Sequence, residues 1–185
     1  MAQRGHELGN HSLIHPCRRF APDGARMVTK LPTMNTLLRA LDGKLVRTCA
    51  YTCSDHIAGQ DSFVDALGPL FVAARGGTPA VVADLKTLDL HLVPGWGVRG
   101  VSGDEMIAFV NQALHTGGLA VFMFHGVGGG HDINVDRAEH QQLLAWLAAN
   151  RPRIWTGTFL QVMQHIARVR SGKALPAPVA APGHQ

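Results

Sequence analysis

The 185-residue sequence has little of what marks a membrane-spanning or nucleic-acid-binding chain. No apolar stretch approaches the roughly 18 residues that indicate a membrane-spanning helix, so we expect no membrane partner. Aromatic residues make up only 6% of the chain, and no basic run is longer than Arg18-Arg19, although the net charge is +4. A base-stacking platform and a phosphate-binding groove are both disfavoured, and we expect no nucleic-acid partner.

Cysteines are also few. Cys17, Cys49 and Cys53 are an odd number, at spacings unlike those of a zinc ribbon or a disulfide framework. We interpret them as small buried hydrophobic residues rather than as metal ligands or redox groups. The N-terminal segment lacks the apolar core of a secretory signal, so the chain as written is expected in the cytoplasm.

The composition is that of a globular protein, with 46% hydrophobic and 16% charged residues. The length suits one domain, which we expect to cover residues 1–173. Residues 174–185 are rich in alanine and proline and are predicted to be a disordered tail.

Helical and strand patterns alternate along the chain. The predicted helices are a short one around Leu37–Leu41, closed by Gly43, one over residues 61–67 and one over about 158–171. Another follows a capping box formed by Ser102 and Glu105 and ends at Gly117-Gly118. A further helix begins at Asp136, is followed by Pro152, and is expected to face inward with Leu143, Leu144 and Leu147. The predicted strands are 45–53, 70–74, 80–83, 119–124 and 154–155. This alternation predicts an α/β fold with a mainly parallel sheet, open or closed into a barrel, and helices packed outside it. Functional residues in such folds lie at the carboxyl ends of the strands.

The unusual feature of the composition is its 11 histidines. His11 and His15 are four residues apart, a spacing at which two imidazoles can bind one metal ion. Pro16 excludes a long helix here, because proline moves the preceding residue out of the α region, so we predict a single turn or a loop. With so many histidines, the same spacing can also arise by chance.

A second candidate is His125, which ends the predicted strand 119–124 and precedes the glycine-rich GVGGG. It is placed for acid or base catalysis in a cleft, or is a strand-end histidine bonded to backbone; both interpretations stay open. The pairs Asp55-His56 and His131-Asp132 either join such a site or cap loops.

Trp96 lies in a loop predicted over residues 91–101, among glycines and a proline. Its ring either stacks on a sugar or packs the loop onto the core.

Three phrases resemble motifs of the polysaccharide deacetylase family, also called the NodB homology domain or carbohydrate esterase family 4. GHELGNHSLIHP resembles the family's H-S/T-x-x-H motif and the residues before it. FMFHGVGGG resembles the late motif in which a histidine ends a strand, and WTGTFLQVMQHI resembles the closing strand and helix. The resemblance spans roughly residues 3–170.

The resemblance implies a distorted (β/α) barrel and a metal-dependent hydrolase that removes acetyl groups from a carbohydrate. His11 and His15 match ligands of a divalent metal, often zinc in this family, and Ser12 matches the small polar position between them. His125 matches the general acid. The backbone N–H after Tyr51 is expected to help bind the oxyanion, and Trp96 is the further candidate for substrate contact.

The sequence departs from the family in its carboxylates. The family's first motif, T-F-D-D-G, supplies a metal-binding and a base aspartate, but no Asp-Asp pair occurs here. In the third-motif region Ala50 stands where an arginine is common, and Thr52 where a proline is common. Asp55 or Asp132 is a candidate substitute carboxylate.

We therefore expect a barrel truncated at its N-terminus, from a shortened coding sequence or an internal start. Its open edges would favour self-association, and a full-length parent would be a candidate for export. The alternative function is an inactive deacetylase-like domain that binds a glycan or a partner protein. A third alternative is an unrelated parallel α/β protein.

Overall fold

A computed structural model describes residues 5–17, 28–58 and 61–172 of the chain. Its helices are α1 (Leu31–Asp42), α2 (Gly103–Thr116), α3 (Arg137–Ala149) and α4 (Phe159–Arg170). Its strands are β1 (Cys49–Ala50), β2 (Ile57–Ala58), β3 (Asp61–Ser62), β4 (Ala74–Arg75), β5 (Trp96–Gly97) and β6 (Phe122–Met123). Single 3-10 turns cover Thr52–Ser54 and Asp65–Leu67. Among the described helices, none combines the length and apolar content that crossing a bilayer requires.

The strands form three pairs. β1 pairs with β4 and β5 with β6, both in parallel, while β2 and β3 are antiparallel. Parallel bridges join Asn10 to Cys49 and Arg75 to Val93, so parallel pairing runs from Asn10 through β1 and β4 to Val93. β5 begins three residues after Val93 along the chain. Within the described ranges no closed barrel forms, and the truncated barrel stays a prediction.

The helix ends follow local sequence signals. The Ser102 side chain and Glu105 form the predicted capping box at the start of α2. Asp136 caps α3, and Thr158 begins α4 with a capping box of its own. Gly43 ends α1 in the left-handed region, at a φ of 71°, which glycine adopts at no steric cost. These helix predictions are confirmed.

The strand predictions are less accurate. The predicted strand 45–53 contains only the two residues of β1, and 119–124 only those of β6. Segment 80–83 contributes one antiparallel bridge, from Val82 to Leu119, and 154–155 has no strand. Conversely, the predicted loop 91–101 contains β5. A strand depends on a partner distant in sequence, which local composition does not specify.

The helix predicted over 61–67 is wrong. Residues 61 and 62 form β3, and only Asp65–Leu67 makes a helical turn. The first two residues of this segment pair with β2 in an antiparallel ladder, so they are extended and not helical. The predicted tail, 174–185, lies outside the described residues, as does the last residue of the predicted domain.

The core consists of three clusters between the helices and the strands. They are centred on Tyr51, Phe63 and Leu67; on Val93, Met163 and Ile166; and on Val98, Met106 and Leu143. Leu143 is 2% exposed, but Leu144, also expected to face inward, is 44% exposed. α3 therefore buries a narrower face than its leucines suggest.

Candidate functional site

The segment of residues 10–17, here called the histidine segment, is fixed beside β1. Asn10 is completely buried, and its backbone N–H donates to the Thr48 carbonyl at 2.8 Å. Its own carbonyl accepts from the Ala50 N–H at 2.8 Å, and its side-chain amide donates to the Leu31 carbonyl at 3.0 Å. These bonds continue the parallel sheet by one residue and place His11 at its carboxyl edge.

Beyond Asn10 the histidine segment turns sharply. Ser12 and His15 adopt left-handed φ values of 63° and 46°. The Ser12 hydroxyl accepts the His15 backbone N–H at 2.9 Å. The rings of His11 and His15 consequently meet edge to face, with their centroids 4.7 Å apart. The segment is a turn and not a helix, as the proline predicts.

The orientation of His11 leaves one ring nitrogen available. Its Nδ1 donates to the Ala50 carbonyl at 2.8 Å, so Nε2 is the nitrogen that presents a lone pair in the neutral ring. Partial burial lowers the pKa of His11, the bond to Ala50 opposes this, and the nearby charges of His15, Arg75 and His125 lower it further. The neutral ring, which binds metal, is thereby favoured at neutral pH.

The side chains of His11, Arg75 and His125, from three strand ends, lie near enough for their charges to interact. Arg75 ends β4, and His125 follows β6 by two residues, at the carboxyl edge where His11 lies. A guanidinium nitrogen of Arg75 lies 2.8 Å from the Met123 sulfur. The ring of His125 stacks on that of His131 at 5.2 Å. The structure therefore brings the three candidate histidines to one edge.

This edge is open. His11, His15 and His125 are all solvent-exposed. A cavity of about 20 Å³ beside the histidine segment is lined by Ser12 and Tyr51 among others. A cavity of about 360 Å³ lies elsewhere, between α2, α3 and α4, and no candidate residue lines it. The site is thus a surface edge and not an enclosed pocket.

The donor set fits a metal ion only in part. His11 and His15 suit two ligand positions, but a catalytic zinc site ordinarily has three protein ligands. Within the part of the chain that the structure describes, neither Asp55 nor Asp132 forms a close group with these two histidines. Asp132 instead lies 3.0 Å from Nδ1 of His131, with its carboxylate largely in solvent.

The cysteines correct the sequence interpretation. Cys49 is 5% exposed and packs in the core as expected, and burial raises the pKa of its thiol to about 12. Cys17 and Cys53 are instead joined by a disulfide, with their Cα atoms 5.6 Å apart, and Cys53 is exposed. The prediction of buried hydrophobic cysteines is wrong for this pair.

Tyr51 and Trp96 both belong to the core packing. The Tyr51 side chain is 5% exposed, its hydroxyl donates to the His91 carbonyl at 2.6 Å, and burial raises its pKa. The expectation for the N–H that follows it stays a prediction. The Trp96 ring packs against Phe109 and Phe122, at 4.9 and 5.8 Å, which favours the core alternative over sugar stacking.

Sequence reasoning missed two charged residues of this region, Arg75 at the carboxyl edge and Glu7 before the histidine segment. Arg75 ends a strand directly before two glycines, a signal that should have drawn attention to it. Glu7 accepts the Leu160 backbone N–H at 2.7 Å and the Thr48 hydroxyl, so it links the start of α4 to the residue that precedes β1. No local pattern identifies that contact, because its partners are distant in sequence.

Comparisons with protein families, curated proteins and solved structures found no match to this chain. Its function is therefore inferred from its own residues and their geometry.

Proposed function

We propose that this chain is a polysaccharide deacetylase-type domain, a hydrolase that removes acetyl groups from a carbohydrate with a divalent metal, most simply zinc, on His11 and His15. The observation that supports this is the pair of imidazoles 4.7 Å apart at the carboxyl edge of parallel strands. The phrase GHELGNHSLIHP supplies these histidines in the pattern of the deacetylase family. An open edge also suits a polymer, which must pass across the site without entering a closed cavity.

Each residue of the site has a distinct part. The Ala50 carbonyl orients His11, so that Nε2 of this ring and one nitrogen of His15 would hold the metal. The chemistry that such a metal would supply, when bound, is polarisation of the acetyl carbonyl and a lowered pKa of a bound water. His125, exposed at the same edge, donates a proton to the leaving amine or hydroxyl oxygen of the sugar.

A second candidate is a domain that binds a glycan or a partner protein without catalysis. The observation that favours it is the missing carboxylate pair: the sequence has no Asp-Asp, and no described carboxylate groups with His11 and His15. The family's T-F-D-D-G motif, which supplies its base, does not occur in the sequence.

The two candidates are separated by acetate release. Purified protein with added zinc is incubated with N-acetylated chito-oligosaccharides and with an O-acetylated polysaccharide, and acetate is measured. We expect release that a chelator stops and that His11→Ala and His125→Ala abolish. His115→Ala is the matched control, because His115 lies in the last turn of α2. Activity untouched by His11→Ala would refute the first candidate, whereas glycan binding without acetate release supports the second.

The cytoplasmic location of the chain as written is likewise a proposal. A disulfide is typical of oxidising compartments, whereas a pair of reduced thiols is typical of the cytosol. Cell fractionation combined with thiol labelling of Cys17 and Cys53 therefore tests the cytoplasmic location. The upstream nucleotide sequence is a further test. A T-F-D-D-G stretch in frame there favours the hydrolase and a longer, exported parent, and a stop codon favours the non-catalytic domain.

A further inference from the structure

A second group of donor atoms lies next to the histidine pair. His15, Cys17 and Cys53 place one ring nitrogen and two sulfurs within 4.8 Å of one another. Within the described ranges this is the one group of three or more histidine, cysteine or acidic side chains with such spacing. It brings together the end of the histidine segment and the turn after β1.

Contacts other than the disulfide also hold the two cysteines near each other. Asn10 and β1 are neighbours in the parallel sheet, so the segments that leave them emerge side by side. The Thr52 hydroxyl donates to the Pro16 carbonyl at 2.5 Å, and each of these two residues directly precedes one of the two cysteines. None of these bonds involves a sulfur atom, so we expect the two cysteines to stay close when the sulfur–sulfur bond is broken.

The donor set matches a soft divalent metal. Zinc prefers thiolate sulfur and imidazole nitrogen, and two cysteines with one histidine leave a fourth position for water. In the disulfide form the sulfurs are bonded to each other and are not anionic ligands. A small dithiol or glutathione-type thiol would reduce the bond: two reductant thiols become one disulfide, and Cys17 and Cys53 become two thiols. Binding of the metal then releases two protons.

We propose that reduction of the Cys17–Cys53 disulfide creates a zinc site formed by His15, Cys17 and Cys53. Both His15 and Cys53 are exposed, so metal and reductant reach the site from solvent. The site uses only donors of this chain and does not depend on the proposed hydrolase activity. Because His15 would bind either this metal or the one shared with His11, zinc binding after reduction would withdraw His15 from the histidine pair.

Cobalt(II) is the probe, because thiolate ligation gives it an intense charge-transfer absorption band. The protein is titrated with cobalt after reduction by a phosphine, which does not itself supply thiolate ligands, and in parallel in its oxidised form. We expect the band, at one cobalt per chain, in the reduced protein alone, and its displacement by zinc. Its absence from the reduced wild type, where no substitution perturbs folding, overturns the proposal.

Variants assign the ligands. The Cys17→Ser/Cys53→Ser double variant should lose the band completely, and His15→Ala should shift it and weaken cobalt binding. Two controls, Cys49→Ala and His11→Ala, should retain it. A band that persists in the double variant, or is lost in Cys49→Ala while the helical circular dichroism is unchanged, overturns the assignment. Loss of acetate release in His11→Ala with the band retained separates this site from the proposed hydrolase site.

Discussion

Replacing both members of the Cys17–Cys53 disulfide with serine should lower the free energy of unfolding of the oxidised protein by 3 to 4 kcal/mol, about the loop-closure entropy of the link. The two cysteines are 36 residues apart, and a loop of that length gives about 3.8 kcal/mol at 25 °C. The loss arises mainly in the unfolded chain, because backbone bonds hold the histidine segment beside β1 without the disulfide. Urea unfolding followed by circular dichroism measures the change.

Reduced wild type should match the double variant, within the extrapolation error of about 10–15%. Cys49→Ala is the matched control. It loses core packing, but its oxidised and reduced forms should still differ by the full amount, because the disulfide is intact. Equal free energies of unfolding for oxidised and reduced wild type would refute the reasoning, as would free Cys17 and Cys53 thiols in air-oxidised protein.

Three further predictions concern the fold. Leu143→Ala should lower the free energy of unfolding, measured with urea, by about 2–5 kcal/mol, because its side chain is 2% exposed. Leu144→Ala should lower it by less than about 0.5 kcal/mol, because that side chain is 44% exposed. Equal losses for the two variants would place the core face of α3 elsewhere. Ser102→Ala removes the capping box of α2 and should cost about 1 kcal/mol, seen as a lower Tm; an unchanged Tm would contradict this. Hydrogen bonds from Arg47 hold the pKa of Asp42 below its ordinary value, so the pair stabilises the fold above about pH 3.9, the pKa of an unfolded aspartate, and this contribution is lost on further acidification. Asp42→Asn should therefore flatten the fall of Tm below about pH 4, whereas parallel curves for variant and wild type would contradict the assignment.

The helix ends were predictable because their signals are local. The side chain of Ser102 reaches a backbone group three residues away, and the left-handed turn at Gly43 needs only the residue itself. The turn at His15-Pro16 follows from the proline in the same way. Each of these contacts lies within one helical turn of sequence, so composition alone specifies it.

The strand lengths, the disulfide and the surroundings of the histidines were not predictable in this way. Cys17 meets Cys53 because Asn10 pairs with β1. The bridge that makes this pairing joins Asn10 to Cys49, which are 39 residues apart in the sequence. Arg75 reaches His11 through the pairing of β1 with β4. Predicting either contact requires the register of a parallel sheet, which single-sequence patterns do not contain.

The central claim is that His11, His15 and His125 converge on one metal-binding edge. The most direct test adds substoichiometric cobalt(II) to the oxidised protein and follows the imidazole NMR signals, which a bound paramagnetic ion broadens at short range. We predict that the signals of these three histidines broaden together while that of His115, in the last turn of α2, stays sharp. Broadening of His11 and His15 with a sharp His125 signal would contradict the claim.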